Sequence, residues 1–88
     1  MTDIVNTLTE RGERYGKFVN HARIAQNIKA VMAEGKWFDL ATDQKEALEM
    51  IAHKIARILN GDPNYVDSWH DIAGYAKLVE DRLNGIER

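Results

Sequence analysis

The chain has 88 residues, with 12 Lys and Arg set against 14 Asp and Glu for a formal net charge of -2, and it contains no cysteine. Mixed signs of charge produce no global field toward nucleic acid or an anionic membrane. The missing cysteines exclude disulfides, thiol nucleophiles and thiolate metal sites. A single domain of this size buries only about 60 to 65% of its unfolded surface, so marginal stability and association of subunits are expected. The opening "MTDIVNTLTERG" has no basic region followed by an apolar stretch, and no apolar run approaches the roughly 20 residues needed to span a bilayer. A soluble, cytoplasmic protein is the expectation.

In chain order, Thr2 or Asp3 caps a short first helix that carries Ile4, Val5 and Leu8 and ends near Gly12. Its apolar face is thin and must lean on something else. A second helix over residues 17–34 places Ile24, Ala25, Ile28, Val31 and Met32 on one stripe, and Gly35 supplies a left-handed cap. His21 falls at the centre of that stripe, which favours a hydrogen-bonded core histidine over a ligand. "KWFDLATDQKE" is a connection whose Trp37, Phe38 and Leu40 fold back onto the core, with Thr42 as the next cap. The third helix, residues 43–60, sets Leu48, Ile51, Ala52, Ile55, Ile58 and Leu59 on one face before Gly61. "GDPNYVD" is a turn. The fourth helix, residues 66–84, is expected to bury Trp69, Ile72, Ala73, Ala76, Val79 and Leu83.

The fold class that follows is all-α: a small bundle of three main helices plus a short N-terminal one, in a single domain over residues 1–88. Association is expected through apolar residues opposite the main stripes, such as Met50 and Leu78, giving a homo-oligomer.

Two polar stripes carry the chemistry. On the third helix Glu46, Met50, His53 and Arg57 share a side, with Glu49 one step round. These spacings also suit weak surface pairs on a solvated face. On the fourth, Asp67, Asp71, Gly74 and Leu78 align. Aspartates in a first turn favour the helix dipole without any ligand, but an interior glycine costs about 1 kcal/mol against alanine, so close approach of a backbone or ligand at Gly74 is expected. If the stripes face each other or a neighbouring subunit, Glu46, Glu49, Asp67 and Asp71 form an oxygen-rich site for Mg²⁺ or Mn²⁺. "RGERYGKFVNHAR" adds Arg11, Arg14, Lys17 and Arg23 around Tyr15, where arginine forks onto phosphate and tyrosine stacks on a base. Lys54, Arg57, His53 and His70 complete the candidate ligand set. No Ser-His-Asp order, Walker loop or dinucleotide fingerprint is present.

The segments "RYGKF" (14–18), "EALEMIAHKIARIL" (46–59) and "DSWHDIAGYAKL" (67–78) resemble those of a family of small phage and prophage proteins. More remotely, the third and fourth helices are similar to the all-α, MazG-like nucleoside triphosphate pyrophosphohydrolases. That resemblance implies a Mg²⁺ site in which Glu46 and Glu49 match a Glu-x-x-Glu half and Asp71 matches the last acid of a Glu-x-x-Asp half. Ser68 stands where the other acid belongs, with Asp67 the nearest carboxylate. The functional expectation is binding of a nucleotide or nucleotide-derived phosphate ligand, with or without Mg²⁺-dependent hydrolysis. The alternative is a non-enzymatic counter-defence binder that sequesters a host nucleotide signal or engages a host protein.

Overall fold

The computed structural model describes residues 3–88, and among these every regular element is helical. Helix α1 spans Ile4–Tyr15, α2 Phe18–Met32, α3 Thr42–Asn60 and α4 Val66–Leu83, with one 3-10 turn at Trp37–Asp39. None of these helices is long and apolar enough to cross a membrane.

The caps explain the boundaries. Asp3 accepts the Val5 N–H at 2.9 Å; Thr2, the other cap candidate, lies outside the described residues. Helix α1 runs through Gly12, because one interior glycine weakens a helix without stopping it. It ends at Gly16, whose φ of 78° leaves the helical region. Thr42 is the first helical residue of α3 rather than its cap, and the Gln44 side chain reaches back to accept the Ala41 N–H at 2.9 Å. Gly35 adopts the expected left-handed conformation, φ 62°.

Helix α3 is the axis of the molecule. Helices α2 and α4 run antiparallel to it on either side and hardly touch each other, while α1 leans on the α2 and α3 ends. Ala52 and Ala56 are buried on α3, Ala25 on α2, and Ala47 is buried a turn from Asp43 near the start of α3. Small side chains let helix axes approach closely. The α3–α4 seam is fixed at both ends by ions: Arg82 donates twice to the Asp43 carboxylate, at 2.7 Å each, and Lys54 meets Asp71 at 2.8 Å. Near the C-terminus, buried Asp81 is held between Lys77 at 3.0 Å and Arg88 at 2.8 Å.

This arrangement corrects the expected core. Trp69 is 54% exposed and Ala73, Ala76 and Leu83 are also exposed, because α4 packs through its Ser68, Asp71, Tyr75, Val79 and Arg82 side. The Trp69 indole instead donates to the Pro63 carbonyl at 2.8 Å, closing the turn before α4. Leu48 and Leu59 on α3 and Val31 on α2 are exposed too. In the connection, Trp37 and Leu40 are half-buried, whereas Phe38 points outward.

The closest approach lies where the α1–α2 junction crosses the end of α3. The Asn60 side-chain amide donates to the Tyr15 carbonyl at 2.9 Å and to the Lys17 carbonyl at 3.0 Å, and the Asp62 N–H donates to the Arg14 carbonyl at 2.8 Å. A Cβ on Gly16 would strike the Asn60 carbonyl oxygen, and one on Gly61 would strike the Arg14 carbonyl and the Tyr15 backbone. Gly74 is the contrary case, since a Cβ there meets nothing within 4 Å; the close approach expected at that glycine does not occur within the chain. Gly74→Ala is therefore expected to stabilise the protein by about 1 kcal/mol, whereas Gly61→Ala destabilises it by about 2–3 kcal/mol. Thermal melts of the two variants check the contrast.

Candidate anion-binding cleft

The crossing at Asn60 fixes three backbones at once and thereby sets the side chains around them. Tyr15 ends α1, Lys17 precedes α2, and Arg57 lies one turn before Asn60 on α3. The Arg57 guanidinium stacks over the Tyr15 ring at 4.1 Å, Tyr15 meets the edge of Tyr65 at 6.0 Å, and Arg14 covers Tyr65 at 4.4 Å. The result is a stack of two rings with a guanidinium at each end, each cation–ring contact worth about 0.5–1 kcal/mol at an exposed position.

One helical turn beyond Lys17, His21 faces α3. Its Nε2 lies 3.3 Å from Nδ1 of His53, with the two rings edge to face at 4.6 Å. His21 is the hydrogen-bonded histidine expected from the α2 stripe, and it is only 6% exposed. Its Nδ1 is buried without a partner. Whichever ring donates, that nitrogen is left with an unmet proton or lone pair, at a cost of about 1–3 kcal/mol.

Leu8, Arg11, Tyr15, Lys17, Phe18, Val19, His21, His53 and Arg57 surround a cleft of about 580 Å³, within the usual range for small-molecule sites. Among the described residues, Arg11, Lys17 and Arg57 form none of the ion pairs that neutralise Lys54, Lys77, Arg82 and Arg88. Burial, aided by the Arg57 charge, lowers the pKa of His21, and the same causes lower that of His53 to about 4. Both imidazoles are neutral at pH 7, so the positive charge of the cleft resides on its arginines and lysine.

The candidate ligand residues thus divide. Tyr15, Lys17, His53 and Arg57 share the cleft, and Arg14 joins it through Tyr65. Lys54 is turned to Asp71 in the α3–α4 seam, and exposed His70 sits beside a separate shallow depression with Asp71 and Gly74. Missing from the candidate set was His21, whose apolar surroundings in the sequence pointed to the core.

The four candidate metal carboxylates stand apart from one another in function. Asp71 is held ionised by the Lys54 hydrogen bond, which lowers its pKa. Asp67 accepts the Tyr65 hydroxyl at 3.0 Å, which raises the tyrosine's pKa. Glu46 borders a depression with Asp43, Arg82 and Arg88, and Glu49 is half-buried on the α2 side of α3. Among the described residues no three His, Asp or Glu side chains come together in a way that would hold a metal ion.

An all-α chain with a basic, aromatic cleft at a helix crossing is the class that fold and site define. The chain belongs to the DUF6378 family, a domain of unknown function, which matches residues 2–83. No curated protein and no solved structure matches it.

The neutral histidine pair makes stability depend on pH with a definite sign. Both pKa values are lower folded than unfolded, so the unfolded chain binds more protons between pH 6.5 and about 4. Stability is full above pH 6.5 and declines as pH falls toward 4. The lowered Asp43, Asp71 and Asp81 pKa values act in a lower window, below 3.8. The melting temperature is expected to drop across pH 6.5 to 4 in the wild type, and His53→Gln is expected to flatten most of that slope.

Proposed function

We propose that this protein binds a phosphate-bearing, nucleotide-type ligand in the cleft bounded by α1, the α1–α2 junction and α3. The observation that carries the reading is the convergence of Arg11, Lys17 and Arg57, without counter-ions among the described residues, on a cleft with an unpartnered buried nitrogen in its wall. Arginine offers a planar fork that matches phosphate oxygens, and lysine adds a mobile point charge. Phe18, 77% exposed on the rim, supplies a stacking surface for a base, because Arg57 already covers Tyr15. The His21 Nδ1 gives a polar ligand atom a partner that the protein itself does not provide.

In this reading the protein holds its ligand rather than turning it over, and a phage-encoded version would lower the free concentration of a host nucleotide signal. A second reading, metal-dependent hydrolysis, is favoured by the position of Glu46 and Glu49 on the same side of α3 as His53 and Arg57. It lacks the α4 half of a metal set, since Asp71 is committed to Lys54.

Calorimetric titration with nucleoside mono-, di- and triphosphates and cyclic dinucleotides, with and without Mg²⁺, tests the proposal. Metal-independent binding of at least one of them is expected. Arg57→Gln should weaken it roughly tenfold or more, equivalent to about 1.4 kcal/mol, and Glu46→Gln should leave it unchanged. No binding across the series, or equal affinity in Arg57→Gln, contradicts it. Intact ligand recovered after incubation with Mg²⁺ supports holding, and pyrophosphate release lost in Glu46→Gln supports hydrolysis.

A further inference from the structure

Domains are built from at least two packed layers around a shared core, yet α2, α3 and α4 make one layer. The helix period separates the two sides of α3. His53 and Arg57 lie on the cleft side, and Ile51 and Ile55 lie roughly 160° away. On that far side the apolar stripe is only partly covered among the described residues: Ile51 and Ile55 are half-buried, and Leu48 and Leu59 are 41% and 66% exposed. Val31 on α2 and Trp69 and Leu83 on α4 are left uncovered as well. Among the described residues no large side chain is fully buried, and the buried apolar residues are alanines.

The deficit is measurable. A folded monomer of 10.1 kDa exposes about 5,300 Å², and this chain exposes 6553 Å². The radius of gyration is 15.0 Å against about 12 Å for a compact domain of this length. The surplus area exceeds the roughly 800 Å² that each partner contributes to a standard stable interface.

We infer that the open apolar face of the α2–α3–α4 layer, marked by Val31, Leu48, Leu59, Trp69 and Leu83, is the seat of a second copy of this chain, so that two layers close one core. The partner is a copy because the uncovered residues belong to the main stripes of the helices, which need cover whenever the chain is folded. Only another copy is always present in equal amount. A two-fold axis satisfies this, since one patch then meets itself. The chain's net charge of -2 supplies no basic field of the kind that an anionic membrane or nucleic acid would require. It lies on the opposite side of α3 from the cleft, so closing the dimer leaves the cleft open.

Sedimentation equilibrium and melting curves over a range of concentrations test this. The expected mass is that of two chains at micromolar concentration, with a melting temperature that rises with protein concentration. Leu59→Lys should weaken dimerisation roughly tenfold or more and lower the melting temperature, whereas Phe38→Lys, on an exposed residue outside the face, should do neither. In a lone chain Leu59→Lys is an exposed substitution of little consequence, so an unchanged melting temperature in that variant overturns the inference. A single-chain mass with a concentration-independent melting temperature overturns it as well, as does a closed trimer.

Discussion

The Asn60 side chain spends both amide hydrogens on the carbonyls of Tyr15 and Lys17, the residues on either side of Gly16. That pair of bonds ties the α1–α2 junction to the last turn of α3, and the rest of the molecule depends on it. It can form only because residues 16 and 61 have no Cβ, which lets two backbones cross at contact distance. Tyr15 is thereby brought under Arg57, and α2 starts in a register that sets His21 against His53. A shift of one residue on α2 would turn His21 through about 100° and dissolve the pair.

Seen energetically, the two sides of α3 are unlike. The α4 side is satisfied: Arg82 meets Asp43, and Lys54 meets Asp71. The α2 side keeps an unpartnered imidazole nitrogen and a histidine whose pKa burial lowers to about 4, beside cations without carboxylate partners among the described residues. Local departures from full satisfaction concentrate at functional sites. Here they concentrate in one cleft, and that uneven distribution is the physical basis for assigning the cleft to an anionic ligand.

Helix number and order were legible because α2 and α3 carry strong apolar periods and because Gly35, Gly61 and Gly85 follow the ends of α2, α3 and α4. Which residues the chain itself buries was not legible. A stripe such as Leu48 to Leu59 states that an apolar face exists, and it is silent on whether the cover comes from the same chain. The aspartates of "DSWHD" illustrate the same limit: spacing placed Asp67 and Asp71 on one side of α4, but their use was decided by Tyr65 and Lys54, which are brought in by the turn and by α3. "RYGKF" carried the better signal. Its aromatic, glycine and lysine are the residues that the crossing needs, although the partner, Asn60, lies 45 positions beyond Tyr15 and has no local mark.

If the His21–His53–Arg57 cleft receives the proposed anion, the histidine rings themselves report on it. Their pKa values are lowered by burial and by the uncompensated Arg57, and a bound phosphate beside that guanidinium would offset part of the effect. Imidazole nitrogen NMR across a pH series, with and without a saturating nucleoside triphosphate, is the direct measurement. His53 is expected to titrate near pH 4 in the free protein, and the ligand is expected to raise the titration points of both His53 and His21. Identical titration curves with bound ligand, or ligand-induced shifts confined to His70, would contradict it.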